Sequence, residues 1–235
     1  MQYHHIHAAE FVRRPNRFIA HVLDDGQPVV AHVKNTGRCA ELLVPGCKVW
    51  LEYSENPARK TPCDLIAVEK QTPRGPVCIN MDSAAPNAVA GEWLAAGGLG
   101  RLDKLKPEYK LGDSRFDFYA EQDGRPMLVE VKGCTLEEDG LARFPDAPTL
   151  RGLKHVKELT QLVGEGYRCC VLLVIQMKGI HTFTPNWDTH PDFGFALQQA
   201  AAAGVEIHAM DCVVTPYSLR IDAPVPVDLS DPPVK

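Results

Sequence analysis

Apolar positions in the first 80 residues come in short alternating runs broken by turn residues. Arg17 to Leu23 alternates, Asp25-Gly26 supplies a turn, and Val29 to Val33 runs back. Gly46 to Tyr53, Leu65 to Val68 and Val77 to Asn80 add three more short runs. Five short strands in this length predict a small β-barrel of the OB-fold kind, with an SH3-like barrel as the alternative. Met1 to Glu10 is polar and carries His4, His5 and His7, which read as a frayed terminus in preference to a metal-chelating trio.

The pattern changes after Asn80. Asn87 to Ala96 has helical composition and includes Glu92, and a strand-rich stretch follows. Thr149 can cap a helix reaching about Val163, with Leu153, Val156, Leu159 and Val163 on one apolar side. Cys170 to Gln176 is an apolar, β-branched run of the kind found in a central strand buried on both faces. Phe193 to Ala203 predicts a second helix stopped by Gly204, and Val205 to Met210 another strand. A helix-turn-helix near 193–212 is disfavoured, because Val205, Ile207, Ala209 and Val213 alternate as a strand does and no recognition helix follows. The expected fold is α+β or α/β: an OB-fold-like barrel over 1–80, then an α/β layer domain over 81–235.

With 235 residues, 45% hydrophobic and 23% charged, the composition is that of a globular chain and excludes disorder, collagen and coiled coil. The net charge of −5 excludes a constitutive polyanion binder. The charge is uneven, however. Residues 1–80 carry ten basic and eight acidic side chains, a balance of +2, so the remainder stands at −7. Arg13, Arg14, Arg17, Lys34 and Arg38 belong to the basic excess, and a mildly basic small barrel can track a phosphate backbone, with an ordinary solvated surface as the equal alternative. The longest apolar run, Cys169 to Ile175, is too short to span a membrane. Eight scattered cysteines without a Cys-x-x-Cys pair argue against structural zinc and for a reducing, cytoplasmic setting.

The richest stretch is Ser114 to Thr135, SRFDFYAEQDGRPMLVEVKGCT. With Asp123-Gly124 as a two-residue hairpin loop, paired residues have numbers summing to 247. Phe118 then faces Val129 and Phe116 faces Val131 on an apolar side. Asp117 lies opposite Glu130, and Arg115 opposite Lys132, on a polar side. Two carboxylates across a ladder repel. A divalent cation between them reverses the sign, and oxygen ligands suit Mg²⁺ or Mn²⁺. Such a cation can activate water and neutralise charge on a phosphodiester, with Lys132 stabilising the developing negative charge. Register alone leaves open a surface strand pair with Asp117–Lys132 and Glu130–Arg115 ion pairs.

Asp-x12-Glu-Val-Lys on a strand pair, preceded by a helix bearing Glu92, resembles the PD-(D/E)XK nuclease core. GDSRFDF (112–118), EVKGCTL (130–136), FPDAPTLRGLKH (144–155) and NTGRCAELLVPG (35–46) resemble the sugar fermentation stimulation protein family, SfsA, over nearly the whole chain. The resemblance implies an N-terminal OB-fold and a C-terminal restriction-endonuclease-like domain. It also implies non-specific DNA binding and a regulatory link to sugar (maltose) metabolism. Residue by residue it makes Asp117, Glu130 and Lys132 catalytic, with Glu92 completing a metal set of Asp117, Glu130 and Glu92. Phe116 stands where the superfamily name has proline, which is tolerable because the carboxylate is the ligand.

Arg151, His155 and Glu158 share one face of the helix capped by Thr149. Arg151 could hold a phosphate, and His155 could meet the nucleic acid or assist a proton. The alternative is a salt-bridged helix face. Asp146 reads as a supporting carboxylate or a turn former. Expected nucleic-acid contacts are Arg13, Arg14, Arg17, Lys34, Arg38, Arg115, Arg151 and His155. The leading expectation is a Mg²⁺-dependent nuclease acting on DNA, with RNA and a homodimer left open. The competitor is a non-catalytic DNA-binding regulator on the same fold. A metal-free carbohydrate hydrolase is disfavoured by Lys132 and the 7% aromatic content.

Overall fold

The computed structural model describes residues 1–35 and 37–231. Its first six strands are β1 (Ile6–Asn16), β2 (Ile19–Asp24), β3 (Gln27–Val33), β4 (Lys48–Tyr53), β5 (Cys63–Thr72) and β6 (Gly75–Asn80). They run in the order β3-β2-β1-β4-β5-β6, and β3 also pairs in parallel with β5. Strands β1 to β5 therefore close a barrel, and β6 extends β5 as a hairpin. Phe11, Ala20, Val22, Val33, Val49 and Leu65 fill its interior.

Strand β1 corrects the expectation of a frayed start. It pairs with β2 on one side and β4 on the other, so its amides are satisfied however polar its outward side chains are. His5 and His7 lie on the rim against Glu55 (2.9 Å) and Asp24 (3.0 Å).

Beyond the barrel come α1 (Ala85–Ala95), β7 (Lys104–Leu111), β8 (Ser114–Gln122), β9 (Arg125–Cys134), β10 (Leu136–Glu138), β11 (Leu141–Phe144) and α2 (Leu150–Gly164). β12 (Arg168–Ile175), β13 (Thr182–Pro185), α3 (Pro191–Ala203), β14 (Glu206–Thr215) and β15 (Ser218–Pro224) complete the chain. The main sheet has the order β15-β14-β12-β9-β8-β7. Its centre, β12, runs parallel to both β9 and β14. α1 packs on one face with Phe118 and Val129, while α2 and α3 pack on the other with Phe116 and Leu128. Covering on both faces is why Cys169 to Ile175 is uninterrupted apolar sequence. Thr149 caps α2 by accepting the Gly152 amide at 3.1 Å. Gly204 ends α3 at φ +100°, a left-handed conformation. The next strand, β14, occupies the span where a helix-turn-helix would have needed its recognition helix.

The barrel and the sheet region share one apolar core, which runs from Phe11 and Leu51 through Ile79 and Met81 to Phe116 and Phe193. Polar contacts stitch the same seam. Lys34 meets Asp82 at 2.5 Å, Lys70 meets Glu137 at 2.6 Å, and Gln176 Nε2 donates to Asn80 Oδ1 at 2.9 Å. All eight cysteines are free thiols, six of them buried. Among the described residues no helix is long and apolar enough to cross a membrane.

A buried carboxylate pair at the splayed end of a hairpin

Asp123 and Gly124 both adopt positive φ (50° and 73°), as a tight primed hairpin turn requires, and they join β8 to β9. The ladder runs from Gln122↔Arg125 to Phe118↔Val129, so the register has the sum of 247 that the sequence implies. The pairing stops there. Asp117 inserts its carboxylate into the opening, where Oδ2 accepts the Val131 amide at 2.7 Å and Oδ1 accepts Asn87 Nδ2 of α1 at 2.8 Å. Opposite, on β7, Glu108 takes a left-handed φ of 51° and the 108–117 pair drops out of the ladder.

This break changes which way the side chains point. Phe118 packs on the α1 side of the sheet, whereas Phe116 packs on the α2 side. The hairpin therefore does not have one apolar and one polar face, because it lies inside a three-layer structure that buries both. Arg115 does not face Lys132. It pairs in register with Lys110 and is 60% exposed beside Glu108.

Glu130 is 2% exposed and projects toward α2. Its Oε1 accepts from His155 Nδ1 and from Lys132 Nζ, each at 2.5 Å. Its Oε2 is buried without a hydrogen-bond partner. Burial raises the Glu130 pKa, but His155 and Lys132 outweigh it and the net direction is down. Asp117 goes the other way: burial and then the neighbouring Glu130 charge raise its carboxyl above the usual range. An ionised Glu130 with one unused oxygen, beside an acid that it repels, is an all-oxygen donor set that fits a hard divalent cation.

Glu92 does not join this pair. Its Oε2 accepts the Met1 amino group at 2.7 Å, and that amine also donates to the Leu219 carbonyl of β15. Five residues beyond Asn87, Glu92 comes off another side of α1 and meets β15 instead of the hairpin. Among the described residues no three His, Cys, Asp or Glu side chains converge as a ready-made cation cage. Asn87, which orients Asp117, was missed: an amide after Pro86 in the first turn of a helix carries no sequence signal that separates it from an ordinary surface residue.

Several expected nucleic-acid contacts have other partners. His155 is buried behind Glu130, out of reach of a polymer. Lys34 is held by the buried Asp82. Arg14 donates to the carbonyls of Arg17, Asn35, Gly37 and Arg38 at 2.6 to 2.9 Å. All three are consumed by internal contacts because the seam and the site each need a cation or donor there. Arg13, Arg17, Arg38 and Arg151 remain exposed. Glu158 accepts from Ser114 Oγ at 2.6 Å and ties α2 to β8.

A cavity of about 120 Å³ opens where the barrel meets the sheet region, lined by residues including Asn35, Ser83, Pro86, Gly133, Asp146 and Gln176. Burial raises the Asp146 carboxyl, only partly offset by the amides of Asp146 and Ala147. Gly133 has no room for a side chain: a Cβ there would sit 2.6 Å from Gln176 Oε1 and from Pro86 Cγ.

A closed five-stranded barrel fused to a mixed sheet carrying an Asp–Glu–Lys hairpin defines an OB domain followed by a restriction-endonuclease-like domain. A model of the SfsA N-terminal OB domain matches residues 12–79, and a model of the sugar fermentation stimulation protein RE domain matches residues 84–218. The chain belongs to the sugar fermentation stimulation protein family, SfsA. A sugar fermentation stimulation protein homolog of Desulfitobacterium hafniense (strain Y51) is 53% identical over 220 residues, which are 94% of this chain and 95% of the relative. The homolog of Ruminiclostridium cellulolyticum is 48% identical over 230 residues, 97% of this chain and 100% of the relative. The structure of Pyrococcus furiosus SfsA in complex with Ca²⁺ is similar with a TM-score of 0.85 and 26% identity, covering 97% of this chain and 98% of that one.

Proposed function

We propose that this protein is a divalent-cation-dependent nuclease, with Asp117 and Glu130 holding the cation and Lys132 beside them. The observation that carries this reading is the buried, unpartnered Oε2 of Glu130. A buried carboxylate oxygen without a donor is unfavourable in isolation, and the neighbouring Asp117 would accentuate the problem. A bound Mg²⁺ or Mn²⁺ would satisfy both acids, polarise a phosphoryl oxygen and acidify a bound water. Two carboxylates leave room for water and substrate phosphate, as Mg²⁺ prefers. The Ca²⁺ complex of the Pyrococcus furiosus relative agrees with a family site for a hard cation.

The protein's own groups divide the remaining tasks. His155 and Lys132 both bind Oε1 and thereby leave Oε2 as the oxygen free to meet a cation. Asn87 and the Val131 amide hold Asp117. Lys132 Nζ, fixed within the site, can stabilise negative charge developing on a phosphodiester. Glu92 has no part in this reading. The substrate is DNA, with RNA as the other arm of the test.

The test is a cleavage panel of single-stranded, duplex and flapped DNA and RNA, with Mg²⁺ or Mn²⁺ against EDTA. Wild type should cut only with metal, and Lys132→Ala should abolish cutting while keeping most binding. Absence of cutting on every substrate with either ion sinks the nuclease reading and leaves the DNA-binding regulator.

A further inference from the structure

Seven large apolar side chains are exposed among the described residues, and three of them, Val12, Phe18 and Val30, belong to the β1–β2–β3 part of the barrel. Arg13 pairs with His21, and His21 with Val30, so these residues form one row across three strands. Phe11, Ala20, Val22 and Ala31 point into the barrel, which makes that row its outer face. Phe18 follows the end of β1, is 50% exposed, and has the Arg17 guanidinium 5.9 Å from its ring centre. The acidic groups of these strands, Glu10, Asp24 and Asp25, lie at the other end, toward the β2–β3 turn. Apolar and cationic groups thus share the Phe18 end.

That end is also tied to the loop that borders the cavity at the meeting of barrel and sheet, which Asn35 and Asp146 line. A single guanidinium, Arg14, binds the carbonyl of Arg17 at 2.6 Å and that of Arg38 at 2.7 Å, which fixes two turns side by side. A Cβ on Gly37 would lie 2.1 Å from Asp146 Oδ2, so the second turn abuts a residue lining the cavity next to Gly133. The exposed side chains of Arg17, Phe18 and Arg38 are therefore presented from backbone that Arg14 holds in place, on the side of the barrel that meets Asp146 of the sheet region.

We infer that Arg17, Phe18 and Arg38 form a lip that grips single-stranded nucleic acid. Phe18 stacks on one base, and Arg17 and Arg38 hold neighbouring phosphates. The inference rests on the nuclease reading and deepens it by naming the form of the substrate. An exposed aromatic ring separates the two forms physically: an unpaired strand offers base faces, while a duplex hides them and offers phosphates. Arginines alone would favour the duplex, with its denser charge.

Fluorescence anisotropy on the full chain in EDTA, at fixed salt, tests it without cutting. The probes are a labelled oligo-dT strand and a duplex of equal length. Wild type should bind the single strand more tightly. Phe18→Ala should weaken that binding at least about fivefold and change duplex binding less than about twofold, while Phe18→Trp keeps it. Arg17→Gln and Arg38→Gln should weaken both and flatten the salt dependence. Tighter duplex binding by wild type, equal losses on both probes, or an unchanged Phe18→Ala overturns the lip. Any of these results together with metal-dependent cutting in the cleavage panel removes the lip alone and leaves the nuclease reading standing.

Discussion

The barrel and the sheet region handle charge differently, although the barrel also buries one acid, Asp64, against Arg59 and His32. The sheet region buries its acids: Asp82, Glu130, Glu137 and Asp211 are all under a tenth exposed, and Lys34, Lys132, Lys70 and Lys178 hold them. Two of those lysines, Lys34 and Lys70, come from the barrel. The barrel's +2 balance is therefore partly used at the seam, and Arg14 is occupied by backbone carbonyls. Its Arg13, Arg17 and Arg38 sit outward near an apolar face. Net charge by region left the barrel equally open to a phosphate backbone and to an ordinary solvated surface. What decides the matter is which cations remain exposed after the buried acids are satisfied.

The largest effect should come from breaking the seam. Glu137 is 3% exposed, and Lys70 reaches both its carboxylate and its backbone carbonyl. Burial alone raises its pKa, but Lys70 and the Gly140 amide reverse this and hold it below the ordinary 4.5. Its contribution is therefore complete above the ordinary value and is lost as pH falls through the depressed folded value. Lys70→Met leaves Glu137 only the Gly140 amide and the more distant Arg74 at 3.7 Å, and should cost about 2 to 3 kcal/mol near pH 7 by urea denaturation. Without Lys70, burial lifts the folded pKa, so the deficit should shrink between pH 7 and about 4. A deficit independent of pH would mean that Lys70 matters by packing and that the seam is not electrostatic.

The carboxylate pair should respond to metal where the seam does not. At a hundredfold excess over its dissociation constant, Ca²⁺ should stabilise wild type by about 2.7 kcal/mol. Asp117→Asn should lose that gain and, without metal, melt no lower than wild type, since it relieves the repulsion from Glu130. An equal Ca²⁺ shift in the variant would place the cation elsewhere. Gly133→Ala should cost about 1 to 3 kcal/mol by overpacking against Gln176 and Pro86, and should leave the seam's pH response intact.

What was legible in the sequence follows the same division. Buried periodicity and turn chemistry are local, so β12, the Thr149 cap, the Gly204 stop and the Asp123-Gly124 register could all be read from the chain. Strand β1 could not, because its stability comes from two flanking partners and not from its own polar residues. The Asp117–Glu130–Lys132 group was visible through spacing, but its geometry was not: the splay at Asp117 depends on β7 and α1. The same reason explains Glu92. A carboxylate on the right helix satisfies the pattern, while five residues of helical rotation decide that Asn87 meets the hairpin and Glu92 meets the amino terminus.

The smallest expected effects separate the two kinds of barrel arginine. Arg38→Gln changes an exposed side chain and should shift stability by no more than about 0.5 kcal/mol. Its binding effect should still be measurable: one lost phosphate contact lowers the slope of log affinity against log salt by about 0.7 on a single strand. Arg14→Gln should reverse that ranking, because four carbonyls lose a donor and the turns bearing Arg17 and Arg38 come free. It should destabilise clearly and weaken binding only through those turns. If Arg14→Gln and Arg38→Gln gave the same melting point and the same salt slope, the contrast between cations that organise the barrel and cations that meet the ligand would be lost. Glu92→Gln serves as the matching control in the sheet region, with cutting expected to persist because that side chain tethers the amino terminus and not the cation.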